Sequence, residues 1–391
     1  MSRRGAAVPR YRRYAGPAVL SQGFRPFFLL ACGWSALAVL VWALQLHGVL
    51  VLPTALPGPQ WHAHTMLAGF LGASLAAYAL TAVPNWTGRL PVQGAPLAGL
   101  VGLWALGRAA NLLGGGMHTG WIAAADLALP VVLLVAVGRE LVRGRGWRGA
   151  PVAIGLAGLA VAVAVTHLTP DGGRMGQRLA VAAFIGLIAV VGGRLIPSFT
   201  ATALRKRGAR PPAPRDHLDR SAEALAIAAA LAWAVHPDHP ATALTAGLAC
   251  AANAWRLARW RGWSVGGDPG LWGLHLGYAW LVAGLGAIAA TPPVPDASAV
   301  HALTAGAMGC LPLAVMTRLG LAHAAGRLRP GRPIGVALIL VALAAAVRML
   351  APFDPAFAYT VAAGLWIAGF SLATVYLGAF LLVRRSRAAP A

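Results

Sequence analysis

Apolar runs of about 16 to 24 residues follow one another along almost the whole chain, each long enough to cross roughly 30 Å of hydrocarbon at about 1.5 Å per residue. Hydrocarbon offers no partner to backbone amides and carbonyls, so runs of this length fold as helices, whose hydrogen bonds close within the segment. The expected fold is all-α, a polytopic membrane helix bundle with about twelve transmembrane helices. Composition agrees: 58% of the 391 residues are hydrophobic and 11% are charged, against about one quarter charged in soluble domains. Approximate spans are 24–44, 62–83, 95–113, 121–138, 150–166, 178–198, 221–236, 241–257, 271–290, 299–317, 333–351 and 357–381. They leave no room for a separate soluble domain, so residues 1–391 read as one integral membrane domain.

Lys and Arg gather in cytoplasmic connections when spans are drawn correctly, and here the alternation reads as complete. The basic arm 1–23 carries Arg3, Arg4, Arg10, Arg12 and Arg13; the connection after the fourth span has Arg139, Arg143, Arg145 and Arg148. The connection 199–220 adds Arg205, Lys206, Arg207, Arg210, Arg215 and Arg220, whereas 46–61, 114–120, 237–240, 291–298 and 352–356 have no Lys or Arg. Both termini are therefore expected in the cytoplasm. Residues 199–220, with Pro211, Pro212 and Pro214, form the longest cytoplasmic loop and separate two six-span halves, with no internal repeat to mark a duplication.

The formal charge of +22 is thus a topology signal for which an anionic lipid leaflet is a sufficient partner, and no nucleic acid is implied. The arm resembles the charged start of a signal peptide, but the apolar run behind it is too long and lacks a small-residue cleavage site. Cys32, Cys250 and Cys310 fall inside spans without CxxC spacing, which points to packing rather than to zinc or disulfides. Trp61, Trp121, Trp147 and Trp272 sit near span ends, where the interfacial belt accounts for them.

Histidines are sorted by depth once the topology is drawn. In Trp61-His62-Ala63-His64 two imidazoles stand at the outer entrance of the second span, and His301 opens the tenth span at the same level. His275, early in the ninth span, and His323, beyond the end of the tenth, belong to the cytoplasmic side. The two groups lie about 20–30 Å apart, so they make two sites, or one site plus a structural histidine. Residues two apart on a helix differ by about 200° around its axis. Either the first turn of the second span is irregular, or His62 and His64 serve different centres. Neutral imidazole suits haem iron and copper alike, and merely solvated interfacial histidines are the plain alternative.

Asp126 is the carboxylate clearly inside a span, about a turn from the outside, where it would orient a ligating imidazole or relay protons, or else reach the nearby interface or bond another helix as a neutral acid. Arg108 is expected to reach it only by crossing a good part of the membrane. On the cytoplasmic side Arg25, Arg89, Arg194 and Arg318 share a depth with Asn85, His275 and His323. Guanidinium groups with so few carboxylates nearby would suit an anion such as a haem propionate or lipid head group, though ordinary positive-inside placement is the plainer explanation of each.

Particular strings carry more than composition. Gly23-Phe24-Arg25-Pro26-Phe27-Phe28, Trp61-His62-Ala63-His64-Thr65-Met66-Leu67 and Thr81-Ala82-Val83-Pro84-Asn85-Trp86-Thr87-Gly88 resemble motifs of the NnrS family of bacterial membrane proteins. So do the run from Gly192 to Thr200, Leu274-His275-Leu276-Gly277-Tyr278, His301-Ala302-Leu303-Thr304 and Ala314-Val315-Met316-Thr317-Arg318. The resemblance covers nearly the whole chain in order. It implies a twelve-span protein of the bacterial inner membrane that contains haem and copper and is linked to denitrification and nitrosative stress. Its metal-binding histidines correspond to His62, His64, His301 and His275; which hold haem and which copper the resemblance leaves open. This chain has Thr65 where the family often has Glu, and His323 sits in Gly320-Leu321-Ala322-His323-Ala324-Ala325-Gly326 in place of the family's S-L-G-H-T-G.

The resemblance thus implies a haem- and copper-binding membrane protein that meets nitric oxide at a histidine-ligated metal, with an electron donor the sequence does not identify. Depth favours the outer three histidines as that centre. Haem-copper oxidases offer a looser analogy, with twelve spans and a haem between histidines of spans 2 and 10. No histidine pair lies on span 7 here and none within span 6, so a copper site like theirs is absent. The competing expectation is a transporter of copper, haem or a small anion, for which interrupted spans in matching positions of the two halves would speak.

Overall fold

The computed structural model describes residues 14–88, 91–144, 146–169, 172–292, 294–326 and 328–383. Arg89, Arg145 and the part of the basic arm before residue 14 lie outside the described residues. Among the described residues the chain forms twelve long helices: α1 (Phe24–Leu46), α2 (Gly58–Thr87), α3 (Ala95–Leu113), α4 (Thr119–Gly144), α5 (Ala150–Leu168) and α6 (Gly173–Arg205). The second half continues with α7 (His217–Val235), α8 (Pro240–Arg259), α9 (Pro269–Ala289), α10 (Asp296–Ala325), α11 (Arg332–Arg348) and α12 (Pro355–Leu381).

Nine of the described helices are long and apolar enough to cross a membrane; α7, α8 and α11 are the others. The last is short, at 17 residues. The first two carry Asp219, Arg220 and Glu223 on α7 and Arg256 and Arg259 on α8, charges that lower their hydropathy yet mostly meet each other inside the bundle.

Helices outlast the apolar runs that announce them. α6 continues through Thr200 to Arg205, which shortens the expected loop 199–220 to residues 206–216. An Asp216 capping box then opens α7, with Asp216 accepting from the Asp219 amide and Asp219 from the Asp216 amide. α10 runs on to Ala325 and stops at Gly326 in the left-handed region, φ 64°. His323 therefore lies in its last turn, not beyond the end of the helix.

Neighbours in sequence pack around the outside, from α3 through α9 and from α11 through α12 to α1. α2 and α10 run through the interior: α2 touches α1, α4 and α6, and α10 touches α9, α11 and α12. The most apolar stretch of α2 is 83% buried, against 28% for that of peripheral α3. Glycines admit the interior helix, since a Cβ on Gly277 or Gly284 of α9 would run into Leu311 or Leu303 of α10. Outward-facing Leu37, Val135, Ile154, Leu244, Ile339 and Val375 are exposed, a surface suited to lipid.

Three helices widen into π turns: α2 at Thr65–Leu71, α6 at Ile188–Gly192 and α10 at Ala302–Ala307. Such turns disturb the backbone ladder and gather at functional sites. Carbonyls of the α2 segment gain outside donors, Trp34 Nε1 to the Thr65 carbonyl at 3.3 Å and Trp104 Nε1 to the Gly69 carbonyl at 3.1 Å. Two of the three segments begin directly after a histidine, His64 and His301.

Candidate metal centre

A cavity of about 590 Å³ opens at the sparsely charged end of the bundle, between the first turns of α2, α6, α10 and α12 and the last turns of α1 and α11. His62 of α2 and His301 of α10 both line it, with Trp42, Phe70 and Trp366 among its apolar walls. Its size falls in the range of roughly 300–1,000 Å³ usual for cofactor and ligand sites. The His301 Nδ1–H donates to the Ala297 carbonyl at 2.6 Å, which leaves the lone pair on Nε2. His62 stacks on Trp42, with ring centroids 5.4 Å apart and planes 17° from parallel, and its buried Nδ1 has no hydrogen-bond partner.

His64 turns the other way. Its Nε2 donates to Asp126 Oδ2 at 2.5 Å, and His167 Nε2 at the end of α5 donates to the same oxygen at 2.9 Å. Arg108 of α3 pairs with the other carboxylate oxygen. All four residues are buried, at 3–7% exposure. With both rings neutral, the guanidinium and carboxylate charges cancel, as burial in a membrane interior requires. Two imidazole nitrogens and one carboxylate oxygen within 4.8 Å of one another also form a donor set for a metal ion.

This arrangement corrects the expectation for Arg108. The residue stands five positions from the end of α3 and Asp126 seven positions into α4, so the two share a depth. Gly107 brings the helices close enough for the pair, since a Cβ there would sit 3.1 Å from the Asp126 Cα. Sequence reasoning also passes over His167. Sorting by depth, which groups His62, His64 and His301, places it at the same end and is the signal available. The complete alternation of basic connections fails at this end too, where Arg174, Arg178 and Arg348 stand in the first turns of α6 and the last of α11.

The remaining candidates stay at the basic end and do not join His62 and His301. Thr200 Oγ1 donates to the Ile196 carbonyl at 2.8 Å and accepts from His275 Nε2 at 2.9 Å, tying α9 to α6. The His275 Nδ1 is buried without a partner, and no three-donor set among the described residues includes it. The Arg25 guanidinium donates to the carbonyls of Leu381 and Val383 at 2.8 and 3.1 Å, closing the end of α12. Arg318 donates to Asp268 Oδ2 and the Leu328 carbonyl, both at 3.2 Å, and lies over the Phe199 ring. Arg25 thus binds backbone carbonyls of the chain, and Arg318 a carbonyl and the Asp268 carboxylate. His323 donates to the Leu319 carbonyl at 2.9 Å and leans on Phe24, Asn85 donates to the Thr81 carbonyl at 3.0 Å, and Arg194 is exposed.

A second buried charge network occupies the basic end. Arg256 Nε donates to Asp219 at 2.8 Å and a terminal nitrogen to Glu223 at 2.5 Å; the other reaches the Ala189 carbonyl and the Tyr278 hydroxyl at 2.9 and 3.0 Å. Tyr278 in turn donates to Asn253 at 2.6 Å. Outside it, Arg259 holds the partly buried Asp216 carboxyl well below the usual carboxylate range through a hydrogen bond of 2.6 Å.

No curated protein matches the chain. The family model described as NnrS protein matches residues 18–385, from just before α1 to just beyond α12, and the chain belongs to the NnrS family.

Proposed function

We propose that this chain is a haem- and copper-binding protein of the bacterial inner membrane that meets nitric oxide at a histidine-held metal. In this reading all twelve helices cross the bilayer and both termini face the cytoplasm. The observation that carries it is the pair of imidazoles from α2 and α10 in one largely apolar cavity. Haem fits the residues there: the free lone pair of His301, the partnerless His62 nitrogen and the aromatic walls suit a flat, apolar, imidazole-held ring. The donor set of His64, Asp126 and His167 fits copper by ligand type, provided both rings give up their Nε2 protons.

When bound, haem iron would supply nitric oxide binding and one-electron chemistry. The chain's own contributions are more specific. His62 and His301 hold the ring between two interior helices, and the Ala297 carbonyl fixes the His301 tautomer. The apolar lining admits a small uncharged gas that partitions into membranes and excludes bulk water. The π segments fall in the second and sixth helices of the first half and the fourth of the second, not in matching positions. That pattern favours a cofactor scaffold over a duplicated transporter.

The test is the visible spectrum and metal content of detergent-purified wild type beside His62→Ala, His301→Ala, His64→Ala and His167→Ala, before and after nitric oxide. Haem should be lost from the first two variants and kept by the last two, which should lose copper instead. A wild type that stays colourless and metal-free after expression with haem and copper supplied would sink the reading and leave transport as the better account.

A further inference from the structure

Among the described residues, arginines crowd the basic end except for four. Arg108 is neutralised by Asp126, and the other three, Arg174, Arg178 and Arg348, all line the cavity that holds His62 and His301. Arg174 and Arg178 stand one turn apart, which puts them on one face of α6; Arg348 ends α11. None of the three has a carboxylate partner among the described residues. Aromatic rings position two of them instead: Arg178 lies over Trp233 at 5.8 Å and Arg348 over Tyr359 at 4.5 Å. Stacking of this kind holds the guanidinium plane while leaving edge N–H groups free to donate.

The cavity wall contains one acid, Asp296, which accepts from Trp233 Nε1 at 3.2 Å. Three guanidiniums and one carboxylate leave a formal +2 on the wall of a largely apolar chamber. Like charges gathered beside a low-dielectric wall repel, and two negative charges would balance them. The size, the apolar walls and the charge together suit a ligand with an apolar body and two carboxylates. We propose that Arg174, Arg178 and Arg348 clamp the two carboxylates of the porphyrin that His62 and His301 hold, and so fix which edge of the ring faces the membrane surface. The inference rests on the cofactor reading above.

Full-length protein purified from haem-starved cells is titrated with haem and with haem dimethyl ester, which has the same ring and iron but no carboxylate charge. Soret absorbance reports binding. Wild type should take up haem more tightly than the ester, by about tenfold or more for each charge-assisted hydrogen bond that the ester cannot make. Arg178→Gln and Arg348→Gln should weaken haem to the level of the ester while leaving the ester unchanged, and ester binding serves as the check on folding. Equal affinity of wild type for both, as expected if the guanidiniums serve a free anion, overturns the clamp while leaving the cofactor reading intact. Loss of both ligands from the variants also overturns it. Uptake of neither by wild type overturns the cofactor reading and the clamp with it.

Discussion

The two ends of this bundle bury charge in opposite ways. At the basic end Arg256 sits at the centre, and its Nε and both terminal nitrogens reach acceptors, two carboxylates, a carbonyl and a hydroxyl. At the other end a carboxylate sits at the centre, Asp126, with one guanidinium and two imidazoles around it, and the Arg108 Nε and one terminal nitrogen have no partner. The first network is saturated and has nothing to offer a ligand; it lets the charged helices α7 and α8 belong to the bundle. The second is balanced only in one protonation and ligation state, because imidazoles exchange a proton for a metal where guanidinium does not. Saturation suits a structural role, and spare donors beside titratable rings suit the ligand-binding role proposed for the second network.

The contrast can be broken hardest at the saturated end. Replacing Arg256 with Met removes the central cation and leaves Glu223 to the more exposed Arg215 and Asp219 to Arg259 at 3.8 Å, and removal of one partner from a buried charge network costs about 3–5 kcal/mol. Thermal unfolding in detergent should show a sharply lowered midpoint or no folded protein, and an unchanged midpoint would refute the structural assignment. Asp126→Asn keeps the shape but strands Arg108, with an expected loss of about 2–3 kcal/mol. Adding Arg108→Gln should recover part of that loss, and a strictly additive double variant would mean that the pair does not interact.

The smallest effect sharpens the comparison at the rim. The Asp216 carboxyl is held below its ordinary range mainly by the Arg259 hydrogen bond. A depressed folded value means stabilisation that is complete above the unfolded carboxylate range, near pH 4, and fades as pH falls through the folded value. Wild type and Asp216→Asn should therefore differ in unfolding midpoint at pH 7 and converge on acidification; a gap that widens in acid would contradict the assignment.

The bundle is legible because hydrocarbon dictates helix length and basic residues mark the ends. The grouping of His62 and His301 is legible from depth. Direction escapes, because depth says where along a helix a side chain stands, not which way it points: nothing local tells His62 to face α10 and His64 to face α4. The pairing of Arg108 with Asp126 is missed for another reason, since Arg108 is expected too deep in its span although both residues lie near one short connection. The Arg256 network joins α6, α7, α8 and α9, and only packing brings those residues together. Hydropathy makes loop 199–220 too long because it reports where lipid ends, whereas hydrogen bonds decide where a helix ends.

The widened turns after His64 and His301 make this scaffold sensitive to length in a way that ordinary helices are not. Each residue turns a helix by about 100°, so deleting one position from 65–71 or 302–307 would rotate the histidine-bearing tip against the shaft that anchors it. The imidazoles would keep their order along the chain and lose their places in space. Substitutions along these segments should therefore be tolerated far more readily than insertions or deletions, and the spacing from each histidine to the shaft below it becomes as much a part of the proposed metal centre as the histidine itself.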